Sequence, residues 1–160
     1  MLPRKDLLIL SELRNNARET LTRISKKTSI PVSTIFDKIK YYNGNLIKKH
    51  TTLIDFSKLG FNARANIMIK VDRDAREQAR LFLLNNHNVN SVYKVSNGFD
   101  FLIEGIFKNV KDVEDFIDVL GGKFKLEETQ VHYIIEDIKK EGFMNNIDLL
   151  DLVIKNENTR

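Results

Sequence analysis

One short segment in the first third of the chain carries hydroxyl groups and lysines on a single side of a helical pattern. The segment reads SIPVSTIFDKIKYYNG and covers residues 29–44. Its polar positions are Ser33, Thr34, Asp37, Lys38, Lys40 and Tyr41. Hydroxyl groups can bond phosphates or base edges, and ammonium groups can neutralise phosphates. This spacing favours contact with a nucleic acid, although a solvated lysine-rich face would give the same pattern.

The chain gives no comparable signal for covalent or metal chemistry. It contains no cysteine, which removes thiolate nucleophiles and Cys-based zinc sites and is typical of a reducing compartment. Its three histidines, His50, His87 and His132, lack the spacing of metal ligands. The sequence therefore predicts no catalytic residue, no metal site and no cofactor.

Charge is divided unevenly along the 160 residues. Residues 1–60 hold 12 Lys/Arg and 5 Asp/Glu, a balance of +7, whereas residues 61–160 hold 14 and 17, a balance of −3. This asymmetry indicates two modules, the first of which faces a polyanion, with chance scatter of surface lysines as the alternative. Because no apolar run approaches the roughly 18 residues of a membrane span, we expect a soluble cytoplasmic protein without a membrane partner.

The first module is predicted to be helical. Apolar spacing predicts helices over residues 5–15 and 21–28, followed by a third helix within the segment quoted above. Pro31 suits the first turn of that helix, where its missing N–H costs nothing. The apolar stripe expected to pack inward is formed by Val32, Ile35, Phe36 and Ile39. Because the joint between the second and third helices is short, the pair has the form of a helix-turn-helix.

Residues 46–56, LIKKHTTLIDF, are rich in β-branched side chains and are predicted to form a wing hairpin. A helix about 10–12 Å across fits the major groove of B-DNA, which is about 12 Å wide. The residues predicted to contact double-stranded DNA are Arg23, Lys26, Lys27, Ser33, Thr34, Lys38, Lys40, Tyr41, Lys48 and Lys49. Replacing Lys38 or Lys40 by Ala is expected to weaken this binding without unfolding the chain.

The second module alternates strands and helices. Strict alternation in NARANIMIKV, residues 62–71, predicts a half-buried strand. Further elements are predicted as a helix over 73–85, strands over 89–96 and 99–107, a helix over 110–120 and a strand over 128–138. Asn97-Gly98 is a strong signal for a hairpin between the two middle strands. The order β-α-β-β-α-β is that of a ferredoxin-like domain.

Several motifs in this order resemble the leucine-responsive regulator/AsnC (Lrp/AsnC) family of transcription factors, the feast/famine regulators of archaea and bacteria. The matching motifs are Asp6 before LLIL, the triplet NAR, the helix pair ISKKTSIPVSTIFDKIKYY, a Leu59-Gly60 pair and the hairpin SNGFD. The resemblance covers about residues 5–141. Departures include Lys38 in place of a usual Arg, Asn97 in place of Gly and Val131 in place of a second Thr.

The resemblance implies an α+β protein, a winged helix-turn-helix joined to a ferredoxin-like domain. Residues 1–60 would bind DNA, residues 61–141 would sense a ligand and oligomerise, and residues 142–160 would form a C-terminal extension. The implied function is a sequence-specific transcriptional regulator that binds pseudo-palindromic duplex DNA as a homodimer or higher homo-oligomer. An architectural DNA-binding protein with low sequence specificity is the alternative.

An amino-acid effector is the ligand that the resemblance suggests, and its presence stays open. Its expected site is the turn and a strand across a subunit boundary: Asn97, Gly98, Phe99, Asp100 and Thr129. Backbone N–H groups of the turn would hold a carboxylate, and Asp100 would receive an ammonium group. The alternative is that Asp100 only ties the turn together.

Two other functions are weighed against regulation. A decarboxylase of related architecture would need His and Arg in the sensing module, but the hairpin YKVSNGFDF has neither. RNA binding would use Phe99 and Phe101 for stacking, yet Asp100 would repel phosphate there.

Assembly is predicted to use the first strand of the second module, through Ala63, Ala65, Ile67 and Ile69. In the extension, Ile147, Leu150 and Ile154 are predicted to form one side of a helix on a partner subunit, with a frayed terminus as the alternative.

Overall fold

The computed structural model describes residues 2–150 and residue 152, and it divides the chain into two compact units. The helical unit combines Met1–Leu53 with Ile138–Arg160, and the sheet unit is Ile54–Asp137. These limits rest on contacts within each unit; the functional boundaries predicted at residues 60/61 and 141/142 stay predictions. No described helix is long and apolar enough to cross a membrane.

Three helices form the first part of the helical unit: α1 (Arg4–Asn15), α2 (Leu21–Thr28) and α3 (Val32–Tyr42). The predicted helices are confirmed to within a residue or two at each end. The Thr20 hydroxyl accepts the Arg23 N–H at 3.3 Å and starts α2, while Ser29 ends it in the left-handed conformation. The shared core is made of Ile9, Ile24, Ile30 and Ile35.

The inward face of α3 differs from the predicted stripe. Ile35 is fully buried and Ile39 partly so, but Phe36 is 55% exposed and Val32 41% exposed. Tyr42 is buried instead. At 100° per residue, the buried side is therefore centred between Ile35 and Tyr42, which leaves Phe36 on its outer flank.

The predicted wing hairpin is wrong for this structure. Tyr42 O accepts the N–H groups of Asn45 and Ile47 in a tight turn at Gly44, which has a positive φ of 78°. Residues 48–55, all of which the structure describes, take part in no strand pairing. A single bridge links Asn43 to Ile47, so the β-branched run finds no partner strand within the described chain.

The elements of the sheet unit are β1 (Ala63–Val71), α4 (Arg76–Leu84), β2 (Val89–Lys94), β3 (Phe101–Phe107), α5 (Val110–Phe124) and β4 (Leu126–Tyr133). The four strands are antiparallel and lie in the order β2-β3-β1-β4. The α+β class and the predicted element order are confirmed, and the arrangement fits a ferredoxin-like domain. Helix α5 is longer than predicted, and β4 both begins and ends earlier.

Alternate residues of β1 point into the core beneath the two helices. Ala65, Ile67, Ile69 and Val71 are fully buried, and Ala63 is nearly so. The predicted assembly role of the Ala63, Ala65, Ile67 and Ile69 face is therefore wrong, because α4 and α5 already cover it. The opposite face of β1 is half-buried and is formed by Arg64, Asn66, Met68 and Lys70.

The C-terminal segment returns to the helical unit. After a single 3-10 turn, Ile147–Leu149, the side chain of Leu150 is only 2% exposed. The predicted packing of Leu150 on a partner subunit is replaced by burial within its own unit. Ile154 lies outside the described residues.

Candidate functional site

The outward face of α3 presents the predicted polar groups to solvent. Ser33, Asp37 and Lys40 are exposed, Tyr41 is 70% exposed, and Thr34 is half-buried. The N-terminus of α3 has no side-chain cap. Helix α3 therefore displays hydroxyls, one lysine and one carboxylate on its outward side.

Lys38 is not part of that free face. Its Nζ lies 3.0 Å from Oδ2 of Asp6, a carboxylate that is 2% exposed on α1. The Tyr42 hydroxyl donates to the same oxygen at 2.5 Å. The hydrogen bond to Asp6 raises the pKa of Tyr42 to about 12, with burial and the negative charge acting in the same direction. Lys38 and Tyr42 thus fasten α3 to α1.

Lys27 is also engaged inside the unit. Its Nζ contacts Glu12 at 2.6 Å and Glu19 at 3.4 Å, and the bond to Glu12 raises the lysine pKa. Arg23 contacts the Glu19 carboxylate at 3.4 Å but keeps a side chain that is 69% exposed. These contacts join α2 to α1 and to the turn before it.

The remaining predicted cations face solvent. Lys26 is exposed at the end of α2, and Lys48 and Lys49 are exposed on the irregular segment after α3. Together with Lys40 they are the lysines of the predicted set for which no carboxylate contact is described. DNA contact by these residues stays a prediction, and Lys27 and Lys38 are engaged in ion pairs within the helical unit.

Phe36 was missed as a surface residue because its spacing is that of a core position. Its ring is more than half exposed on the flank of α3, one helical turn before Lys40. An exposed aromatic side chain of this kind can contact the methyl group of thymine in a major groove. Asp6 and Glu12 were also missed as the buried partners of Lys38 and Lys27, since no local pattern links residues so far apart.

The predicted hairpin turn of the sheet unit is present. Asn97 and Gly98 have φ values of 66° and 93°, and both central residues of a type I′ turn need positive φ. Val95 donates to Asp100 O at 3.1 Å, which extends the β2–β3 ladder toward the turn.

Asp100 is already engaged in the described chain. Its Oδ2 accepts the Val71 N–H at 2.9 Å, and its Oδ1 lies 2.9 Å from Nε of Arg76. Lys70, whose pKa is raised mainly by a bond to Glu127, also feels the Asp100 charge. No local pattern singles out Arg76, which lies at the start of α4 and contacts Asp100.

Thr129 is separated from the hairpin within one chain. Ile69 pairs with Phe101 on one side and with Thr129 on the other, so β1 lies between them. At 4.7–4.9 Å per strand, Thr129 and β3 are about 10 Å apart. A site that joins the turn to Thr129 would need a second copy of the chain.

The structure gives no support to the rival sites. Phe101 is 6% exposed within the core beneath the helices, so it cannot stack on a base. The described residues contain no group of three or more His, Cys, Asp or Glu side chains placed to hold a metal ion.

Comparison with known proteins places the chain in a family. Residues 64–143 match the family model described as the Lrp/AsnC ligand binding domain. An uncharacterised HTH-type transcriptional regulator of Pyrococcus abyssi is 31% identical over 144 residues, which cover 86% of this chain and 93% of the relative. The HTH-type transcriptional regulator FL11 of Pyrococcus horikoshii is 28% identical, over 84% of this chain and 90% of its own length.

A solved structure shares the fold. The complex of a Neisseria meningitidis transcriptional regulator with L-Met superposes with a TM-score of 0.79 at 19% identity, over 88% of this chain and 94% of the other. The chain belongs to the Lrp/AsnC family. The resemblance read from the motifs is thereby confirmed.

Proposed function

We propose that this protein is a sequence-specific transcriptional regulator that binds duplex DNA through a helix-turn-helix made of α2 and α3. The observation that carries the proposal is the outward face of α3, where Ser33, Lys40 and Tyr41 are exposed together. Its relatives named HTH-type transcriptional regulators support the same function.

The internal ion pairs explain how α3 is held for this task. Asp6 binds Lys38 and Tyr42 from α1, so the inner side of α3 is fixed at two positions one turn apart. A reading helix must keep its angle in the groove, because a small rotation would move every base contact. Lys38 therefore acts as a positioning residue, and the phosphate-facing charge comes from Lys26, Lys40, Lys48 and Lys49.

We further propose that the regulator acts as a homodimer or higher homo-oligomer on pseudo-palindromic sites. Two α3 helices related by a twofold axis would read half-sites about one helical turn, or a multiple of it, apart. The face of the sheet opposite α4 and α5 is the proposed interface, since on that face Met68 pairs in register with Leu102 and Gln130. An apolar centre within a polar rim is the usual composition of such interfaces.

An amino acid is the proposed effector class, by analogy with the Neisseria regulator that was solved with L-Met. The hairpin at Asn97 and Gly98 offers backbone donors for its carboxylate. Its ammonium group would have to share Asp100 with Arg76, which is a stricter requirement than a free carboxylate would impose.

Selection of bound sites from random duplex DNA tests the proposed function. A sequence-specific dimer should enrich a palindrome with half-sites of defined spacing. Retention of DNA without any enriched sequence would instead establish an architectural protein. Absence of duplex binding at low salt, where phosphate contacts are strongest, would contradict both.

A further inference from the structure

We infer that Asp37 reads a cytosine in each half-site of the bound DNA and excludes the other bases at that position. Because this assigns a base to one residue of α3, it rests on the proposed function. The observation behind it is an exposed carboxylate on the side of α3 that otherwise offers hydroxyls and a lysine to a polyanion.

The other carboxylates of residues 1–53 are engaged inside the helical unit. Asp6 contacts a lysine of α3 at 3.0 Å. Glu12 and Glu19 share a lysine of α2, at 2.6 Å and 3.4 Å from its Nζ. Asp37 is exposed and pairs with no cation among the residues that the structure describes. It is therefore the carboxylate of this segment that internal ion pairing does not explain.

Local spacing also leaves Asp37 without a cation. The usual helical partner of a carboxylate is a lysine four residues later, but that position is Tyr41. The adjacent Lys38 binds Asp6 on α1 instead. Lys40, three positions later, is exposed and forms no ion pair with Asp37 in the described chain. An external donor can therefore reach the Asp37 carboxylate without displacing an internal partner.

Helical geometry places Asp37 at the centre of the outward face. It lies two residues from Ile35 and two from Ile39, which are fully and partly buried. At about 100° per residue, it is about 160° around the helix from both. Ser33 and Tyr41, one turn before and one turn after, lie on either side of it and are exposed. In a major groove, the outermost residues of a helix meet base edges and its flanks meet phosphates, so Asp37 meets a base.

The donors and acceptors of the base edges select cytosine for a carboxylate. In the major groove, cytosine offers its N4 amino group as a donor, whereas guanine and thymine offer acceptors. Adenine offers an N6 donor beside the N7 acceptor, which repels a carboxylate and suits an amide side chain instead. A carboxylate opposite an acceptor would be desolvated without a partner, so Asp37 excludes bases as well as selecting one.

Parallel selection from random duplex DNA with the full-length parent protein and with Asp37→Asn tests this assignment. The variant keeps the shape of the side chain, removes its charge and adds a donor. It should therefore select adenine at the position where the parent protein selects cytosine. Titration of both proteins with the two sites should show preferences of about tenfold in opposite directions. Asp118→Asn makes the same change on the exposed side of α5 and should keep the parent site.

Failure of this assignment can be told apart from failure of the proposed function. If the parent protein selects a palindrome and Asp37→Asn selects the same bases at every position, the reading role of Asp37 is overturned and the proposed function stands. A changed position that is not cytosine in the parent site overturns the role too. Retention of DNA without any enriched sequence, or absence of duplex binding at low salt, overturns both.

Asp37→Ala decides the matter if circular dichroism shows that Asp37→Asn loses helix. It removes the carboxylate without adding a donor, so it should lose the cytosine preference and gain none for adenine. An Asp37→Ala protein that still prefers cytosine about tenfold would overturn the assignment.

Discussion

At the scale of single residues, Asp6 organises the helical unit. It is a buried carboxylate that accepts two hydrogen bonds from α3, and its loss would leave both donors without their partner. The Lys38→Ala substitution would remove one of the two hydrogen bonds to Asp6 and leave only the one from Tyr42. We therefore expect Lys38→Ala to lower stability as well as any DNA affinity.

The Asp6–Tyr42 bond predicts a defined pH dependence. The folded pKa of Tyr42, about 12, lies above the ordinary value of 10.0, so the stabilisation is present below pH 10 and lost as pH rises through 12. The full effect corresponds to about 2–3 kcal/mol at 1.36 kcal/mol per pKa unit. Denaturant unfolding between pH 9 and 12 should show a steeper loss in the parent protein than in Tyr42→Phe.

Tyr41→Phe is the matched control for that experiment, since Tyr41 is the exposed neighbour on the same helix. Its pH profile should run parallel to that of the parent protein. A Tyr42→Phe profile that also runs parallel would show that the bond contributes nothing to folding.

We predict that the exposed ring of Phe36 contacts a thymine methyl group in the bound DNA. Because its ring is largely exposed, Phe36→Ala should change the free energy of unfolding by no more than about 0.5 kcal/mol. Loss of an apolar contact with a thymine methyl should lower specific DNA affinity about fivefold, or about 1 kcal/mol. The measurement is a titration with the selected DNA site and with the same site carrying uracil for thymine.

The parent protein should lose affinity for the uracil site, whereas Phe36→Ala should bind both sites equally. Leu84→Ala removes an exposed apolar side chain from α4 and serves as the control. Equal uracil sensitivity in the parent protein and in Phe36→Ala would remove Phe36 from the interface.

At the scale of elements, what the sequence predicts depends on how local the cause is. The Asn97-Gly98 turn could be predicted because positive φ at two adjacent positions demands particular residues. The buried side of α3 could not be predicted in this way. Phe36 has the spacing of a core residue, and Asp6, which orients the helix, lies 32 positions from Lys38. Likewise the alternation in β1 predicts a strand but not which face is covered, so Ala63, Ala65, Ile67 and Ile69 were assigned to the wrong partner.

Replacing Asp100 is expected to lower the free energy of unfolding in the absence of any ligand. Asp100→Ala removes the acceptor of the Val71 N–H and the partner of Arg76, and should cost about 1–3 kcal/mol of unfolding free energy. Thermal or denaturant unfolding without effector measures this directly. Asp118→Ala, on the exposed side of α5, should stay within about 0.5 kcal/mol of the parent protein. If Asp100→Ala leaves the unfolding free energy unchanged, the Asp100 carboxylate does not stabilise the turn. That result would favour a role of Asp100 in ligand binding.

At the scale of the whole molecule, the face of the sheet opposite α4 and α5 is the surface that we propose a second copy of the chain covers. Antiparallel sheets tolerate solvent on one face when that face is polar. Here that face carries Met68 and Leu102, two apolar side chains that are half-buried and pair in register. A second copy is the simplest cover for such a surface, and the proposed effector site at the turn and Thr129 would also need one.

We expect the Met68→Glu substitution to prevent assembly of the oligomer. Two copies related by a twofold axis would bring a desolvated carboxylate into the apolar centre, which should weaken association at least tenfold. Light scattering at micromolar concentration should show the monomer mass, with far-UV circular dichroism unchanged. Met68→Leu, the apolar control, should remain assembled, and an assembled Met68→Glu would move the interface elsewhere.

The salt dependence of DNA binding by Lys40→Gln tests the central claim most directly. If α3 lies in the groove with Lys40 on a phosphate, the log–log slope of affinity against salt should become shallower by about 0.9 per protomer, or about 1.8 for a dimer. Lys111→Gln removes an equal charge from α5 and should keep the parent slope. Identical slopes in Lys40→Gln, Lys111→Gln and the parent protein would contradict the assignment of α3 as the helix that reads DNA.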